Sequence, residues 1–250
     1  MKYNRVVPGT FLQRPNRFIA HVIINGREEI CHVKNTGRCR ELLVPGCTVY
    51  CAVSDNPERK TKFDLIAVEK MTEGDTLLIN MDSQAPNAAV KEWLQSDASP
   101  FGKISYLKPE CKYENSRFDF YLKCDTETTR TSTASAPTEK ETAAPRRIFL
   151  EVKGVTLEDK GVVLFPDAPT ERGVKHIREL IRCLEEGYET YVLFVVQMEQ
   201  ALYFTPNRKT HPQFADALCE AQNAGVHLSA FTCKVTPDEM IIDKELKVCL

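Results

Sequence analysis

Ser116-Arg117-Phe118-Asp119 and Phe149-Leu150-Glu151-Val152-Lys153 are the two stretches on which the fold turns. The segment 117–122 alternates and is rich in aromatics, which predicts a strand. The segment 148–152 predicts a second strand. Strand period two puts Glu151 and Lys153 on one face and Val152 on the other. Two carboxylates from adjacent strands with a lysine beside them can hold a hard divalent cation and orient a water for attack on phosphorus. An edge strand with a solvated Glu/Lys pair would give the same tripeptide, so the pattern needs its surroundings.

Downstream of Lys153 the pattern is α/β. A short strand at 162–165 precedes Thr170, a good N-cap for a helix whose apolar stripe is Val174, Ile177, Leu180, Ile181 and Leu184. Arg172, Lys175, His176 and Glu179 fall mostly off that stripe, which puts His176 on the solvent side. The segment 191–197 is nearly all apolar, as a central sheet strand is. A helix over 212–224, stopped by Gly225, and a strand over 226–235 close the pattern.

Upstream, a helix over 87–94 capped by Asn87 and a strand over 106–113 lead into the Asp119 strand. Residues 125–147 interrupt the two motif strands. From Thr126 to Ala144 no aliphatic residue is larger than alanine, so the segment buries too little to order itself and is expected to be a mobile loop.

The first 82 residues read as all-β. Strands are expected at 18–24, 29–33, 47–53, 62–69 and 76–80, with a hairpin at Asn25-Gly26 and turns at 35–38 and Pro45-Gly46. Five short strands suit a small barrel such as an OB-fold, and an SH3-like barrel would give a similar pattern. Basic residues gather at its loops: Arg14, Arg17, Lys34, Arg38, Arg40, Arg59, Lys60 and Lys62, with Phe11, Phe18 and Phe63 among them. Rings between cations can stack bases while the cations meet phosphate. Phenylalanine in a small barrel is otherwise core.

Composition bounds the rest. The 250 residues carry a formal net charge of −2, but residues 2–62 hold eleven Lys or Arg against five Asp or Glu. A positive patch on the first third is therefore hidden by the average. Ten cysteines include no Cys-x2-Cys pair, so no zinc site is indicated. No secretory segment follows Met1 and no apolar run reaches membrane-spanning length, which points to a reducing cytoplasm and no membrane.

The chain resembles the sugar fermentation stimulation protein family. The matching residues are His32-Val33-Lys34-Asn35-Thr36-Gly37-Arg38 with Pro45-Gly46, Ser54-Asp55-Asn56, Asn115-Ser116-Arg117-Phe118-Asp119 and Glu151-Val152-Lys153. The block Phe165-Pro166-Asp167-Ala168-Pro169-Thr170-Glu171-Arg172-Gly173, followed by Lys175-His176-Ile177-Arg178-Glu179-Leu180, is the most specific part. The resemblance implies an α+β two-domain protein. An N-terminal OB-fold-like β-barrel over 1–82 would precede an α/β PD-(D/E)xK nuclease-like domain over 83–250, with the insertion at about 125–147. It implies DNA binding, mainly non-sequence-specific, and a role in regulating sugar utilisation, so a non-catalytic regulator is the alternative to a nuclease. The motif acids and lysine would be Asp119, Glu151 and Lys153, with Phe118 where the nuclease motif has proline. Mg2+ or Mn2+ would be held by Asp119, Glu151 and the helix acid Glu92, with Glu110 and His176 as auxiliaries. Arg14, Arg17, Lys34, Arg38, Arg40, Lys60, Arg117 and Arg172 are the expected nucleic-acid contacts. The oligomeric state is left open, a dimer included.

Overall fold

The computed structural model describes residues 1–35, 37–114, 116–125 and 144–250. The segment 126–143, expected to be a mobile loop, lies outside the described residues.

Six strands form the N-terminal barrel: β1 (Val6–Asn16), β2 (Ile19–Ile24), β3 (Arg27–Val33), β4 (Thr48–Val53), β5 (Phe63–Met71) and β6 (Thr76–Asn80). Their order is β3-β2-β1-β4-β5-β6, and a parallel β3–β5 pairing closes the sheet on itself. Asn25 and Gly26, both at positive φ (51° and 77°), make the predicted two-residue hairpin between β2 and β3. Alternate residues Ala20, Val22 and Ile24, then Cys31 and Val33, point inward and are buried. The strand β1 is not among those expected from sequence. Pro8 and Gly9 break its alternation, yet Gly9 is needed there. A Cβ on it would lie 2.5 Å from Val22 Cγ1, so the bare backbone lets β1 cross close over β2.

The remaining elements are α1 (Ala85–Leu94), β7 (Ile104–Tyr113), β8 (Ser116–Cys124), β9 (Arg146–Val155), β10 (Leu157–Asp159), β11 (Val162–Phe165), α2 (Glu171–Glu185), β12 (Glu189–Val196), β13 (Tyr203–Pro206), α3 (Pro212–Ala224), β14 (His227–Thr236) and β15 (Glu239–Leu246). They build a mixed α/β layer on a sheet ordered β15-β14-β12-β9-β8-β7. β9, β12 and β14 run parallel. β12 is one of the two central strands and its run Val192–Val196 is buried, as the apolar pattern predicts. α1 packs on one face through Ala85, Ala89, Val90 and Leu94 against Phe120, Leu122, Leu150 and Val152. α2 and α3 cover the other face, and their core is continuous with that of the barrel.

Two expected boundaries move. α1 starts at Ala85 after Gln84, with Pro86 in its first turn, so Asn87 lies inside the helix and does not cap it. β15 follows the strand expected to close the chain. Thr170 does cap α2, its Oγ1 accepting from Gly173 N at 3.1 Å. All ten cysteines are free thiols. Among the described residues no helix is long and apolar enough to cross a membrane.

The barrel and the α/β layer are joined by buried polar contacts. Asp82, in the connection to α1, is 1% exposed and accepts from Lys34 Nζ at 2.8 Å and Tyr3 Oη at 3.1 Å. Gln197 Nε2, after β12, donates to the carbonyls of Asn80 (2.9 Å) and Asp82 (3.1 Å). Lys70 of β5 reaches Glu158 of β10 at 2.6 Å. The turn that follows β3 is drawn toward the α/β layer as Arg38 N donates to Asp167 Oδ2 at 3.1 Å.

Gly154 fixes how closely α1 approaches β9. A Cβ there would sit 2.6 Å from Gln197 Oε1 and 2.7 Å from Pro86 Cγ. Gly154→Ala is therefore expected to push the first turn of α1 off the sheet, at a cost of about 1–3 kcal/mol typical of overpacking. Urea unfolding checks this, and an unchanged midpoint would mean that α1 yields at no cost.

Candidate functional site

The site lies where β8 and β9 part. Their ladder runs from Cys124↔Arg146 to Phe120↔Leu150. One residue further along β8, the Asp119 side chain reaches the β9 backbone, and Val152 N donates to its Oδ2 at 2.8 Å. Asn87, on the first turn of α1, donates through Nδ2 to Asp119 Oδ1 at 2.8 Å. The acid is thus clamped between a strand and a helix.

Glu151, 3% exposed, stands beside it on β9. Its Oε1 accepts from Lys153 Nζ and from His176 Nδ1, both at 2.6 Å. Period two brings Lys153 to the same face, as expected from the tripeptide. His176 comes from α2 and is buried, which corrects its expected solvent-side position. Its neighbour one turn back, Arg172, approaches through Nε at 3.4 Å from His176 Nε2. Glu151 Oε2 is buried and has no hydrogen-bond partner among the described residues.

The electrostatics follow from this geometry. Burial pushes the Asp119 carboxyl up, and the Glu151 charge adds to it, against the Val152 amide, Lys153 and Asn87. Burial acts on Glu151 in the same direction, but Lys153 and His176 outweigh it and hold that carboxyl below its ordinary range. One acid is stabilised as an anion and its neighbour is penalised for being one.

A cleft of about 250 Å3 opens over the pair, with Glu110, Arg117 and Arg172 among its lining residues. Glu110 and Arg117 are exposed and 3.4 Å apart. Glu92 is not in the cleft. Its side chain is 65% exposed and pairs with the Met1 ammonium at 2.7 Å. Asn87 holds the inward side of α1, and five residues on is about 140° round the helix, so Glu92 faces away. Among the described residues no three His, Cys, Asp or Glu side chains form a metal-ligand cluster, so the expected triad with Glu92 is not assembled. Asp119 and Glu151 both line this cleft and are nevertheless hard donors. They fit a divalent cation that keeps much of its shell as water.

The predicted barrel contacts divide. Arg17, Arg38, Arg40 and Lys60 are exposed. Arg14 instead braces loops, its guanidinium donating to the carbonyls of Arg17, Asn35, Gly37 and Arg38. Lys34 is tied to buried Asp82. Both are occupied within the fold because their partners, distant in sequence, are brought against them. Phe11 and Phe63 are core, whereas Phe18 is 55% exposed. Asn87 is the site residue that sequence reasoning missed, because a helix cap is a purely local role.

A closed OB-like barrel followed by an α/β layer, with two acids and a lysine where two strands part, defines a two-unit protein of the PD-(D/E)xK-like class. The chain belongs to the sugar fermentation stimulation protein family. The family's "SfsA N-terminal OB domain" matches residues 12–79 and its "Sugar fermentation stimulation protein RE domain" matches residues 84–239. A sugar fermentation stimulation protein homolog of Clostridium beijerinckii is 51% identical over 250 residues, covering all of both chains. One from Desulfitobacterium hafniense strain Y51 is 53% identical over 240 residues, covering 96% of this chain and 94% of that one. The solved structure of Pyrococcus furiosus SfsA in complex with Ca2+ is 27% identical and superposes with a TM-score of 0.81, covering 100% and 98% of the two chains.

Proposed function

We propose that this is a cytoplasmic DNA-binding protein, mainly indifferent to sequence, whose Asp119–Glu151–Lys153 cleft is a divalent-cation-dependent phosphodiesterase site. The functional division falls near residue 82, between barrel and α/β layer. The observation that carries the reading is Glu151 beside Asp119 in a cleft flanked by Arg117 and Arg172, its buried Oε2 without a hydrogen-bond partner among the described residues. A buried carboxylate oxygen without a donor is costly unless a ligand completes it.

Asp119 and Glu151 would hold Mg2+ or Mn2+, a role in keeping with the Ca2+ complex of the Pyrococcus relative. Such an ion, when bound, acidifies water and offsets charge on the phosphoryl oxygens. Lys153 neutralises Glu151 and stands ready to meet negative charge that develops at phosphorus. His176 and Lys153 occupy Glu151 Oε1 and leave Oε2 without a protein donor among the described residues. Arg117 and Arg172 meet flanking phosphates, and Arg17, Arg38, Arg40 and Lys60 extend the footprint over the barrel.

Duplex and single-stranded DNA incubated with magnesium or manganese should be cut by the wild type and not by the D119A, E151A or K153A proteins. Cleavage surviving all three substitutions would place the activity elsewhere. Binding should weaken with salt, and R38A with K60A should flatten the slope of log affinity against log salt by about 0.9 for each duplex phosphate that is no longer neutralised. An unchanged slope would remove both residues from the footprint. The second reading, a non-catalytic DNA-binding regulator, is favoured by the engagement of both Asp119 oxygens and of Glu151 Oε1 by protein donors. Intact DNA binding with no cleavage under either cation would select it.

A further inference from the structure

Antiparallel register sets two rows of side chains across β7, β8 and β9. Tyr106 stands opposite Lys123, and Lys123 opposite Arg147. Lys108 stands opposite Tyr121, and Tyr121 opposite Phe149. Directly opposed residues share a face, and the side-chain geometry agrees. Lys123 Nζ lies 5.7 Å from the centroid of Tyr106, whose ring is 6.1 Å from that of Tyr121. Tyr121 packs on Phe149 at 5.2 Å, Phe149 on Tyr188 at 4.7 Å, and Arg147 covers Tyr188 at 4.2 Å.

Period two carries this face on to the acids. Asp119 is two residues from Tyr121 and Glu151 two from Phe149, roughly 7 Å along each strand. Phe149 within the row is core, at 2% exposure, but the side chains around it are not. Tyr106 is 47% exposed, Lys108, Lys123 and Arg147 are exposed, and Tyr121 and Tyr188 are half-buried. Lys103, near the end of the row, is tied to Asp125 at 3.1 Å. Lys108, Lys123 and Arg147 have no carboxylate partner among the described residues. Among the described residues Arg147 meets only the Glu186 carbonyl, at 3.1 Å, besides the Tyr188 ring.

We propose that this row binds single-stranded DNA and leads it to the cleft. Bases stack on Tyr106 and at the exposed edge of Tyr121, while Lys108, Lys123 and Arg147 meet the phosphates. Rings interleaved with unpaired cations suit a single strand, whose base faces are open. A duplex hides those faces and offers phosphates alone. The lead into Asp119 and Glu151 rests on the phosphodiesterase reading, whereas the binding of the strand does not.

The test uses the full chain in EDTA, so that no cleavage intervenes. Fluorescence anisotropy of a labelled oligothymidylate, and of a labelled duplex, is measured with wild type, Y106A, Y106F and the K108E/K123E double variant. All the substituted side chains are exposed. Y106A and K108E/K123E should each weaken single-strand affinity by about tenfold, the scale of removing one stacked base, and weaken duplex affinity by less. Y106F should bind the oligothymidylate as the wild type does, because the ring is kept. Single-strand affinity unchanged in both Y106A and K108E/K123E, in a protein that still binds DNA, would overturn the track and leave the general DNA-binding reading standing. Equal weakening for duplex and single strand would overturn it too, reducing the row to a plain basic patch. A wild type that binds neither nucleic acid would end both readings together.

Discussion

Asp119→Asn is expected to stabilise the protein in metal-free buffer and nearly to abolish its response to manganese. Burial and the Glu151 charge both work against the Asp119 carboxylate. A neutral amide of the same shape removes that penalty and can still accept one of the two hydrogen bonds, from Val152 N or Asn87 Nδ2. A cation relieves the same repulsion in the wild type and stabilises it by linkage, about 2.7 kcal/mol at a hundred times the dissociation constant. The variant lacks the second anionic donor, so its melting temperature should be nearly flat against manganese while starting higher. Cleavage, where the wild type supports it, should fall by at least about a hundredfold, the scale of removing one electrostatic stabiliser from a transition state. Calorimetry with and without manganese, beside Glu151→Gln, separates the two effects. A variant that responds to manganese as the wild type does would place the ion elsewhere and leave the two acids structural.

The acids themselves were legible in the sequence. Alternation around Asp119 and the Glu151-Val152-Lys153 tripeptide fixed two strands and one shared face, and the structure brings those residues together. What encloses them was not legible, because it depends on helix phase. α1 begins ahead of Asn87, so Asn87 lies within the helix on the face turned to Asp119, and Glu92 falls about 140° away from it. His176 sits among Arg172, Lys175 and Glu179, so its burial shows only once α2 is docked over Glu151. Arg14 and Lys34 looked like free loop cations because their partners are backbone carbonyls and a buried aspartate, none of them marked in local sequence. In the same way the row from Tyr106 to Arg147 spans strands separated by residues 126–143. Its members are adjacent only through register.

Lys70→Ala is expected to cost about 3–5 kcal/mol, the range for breaking a buried ion pair from one side. Lys70 Nζ donates to Glu158 Oε2 at 2.6 Å and to the Glu158 carbonyl at 2.5 Å, with the glutamate side chain only 4% exposed. Gly161 N also donates to that carboxylate. Burial pushes the Glu158 carboxyl up, but Lys70 and Gly161 outweigh it and hold it below its ordinary value of 4.5. In the wild type this share of stability is present above the unfolded value and is lost as pH falls through the lower folded one. In the variant, burial meets only the backbone donor, and the carboxyl rises. The cost is then largest near neutral pH and is relieved as the acid takes up its proton, so the two stability curves should converge in acid. Lys70→Met with Glu158→Leu should recover most of the stability, because no charge is left buried. The ion pair also ties barrel to α/β layer, so the single variant should weaken any DNA binding that needs Arg38 and Arg172 held at fixed separation. Urea midpoints from pH 4 to 8 decide the matter. A destabilisation no greater than that of Lys103→Ala, which breaks the more exposed pair with Asp125, would mean that the Lys70–Glu158 pair adds little and that the other contacts between the two units hold them together.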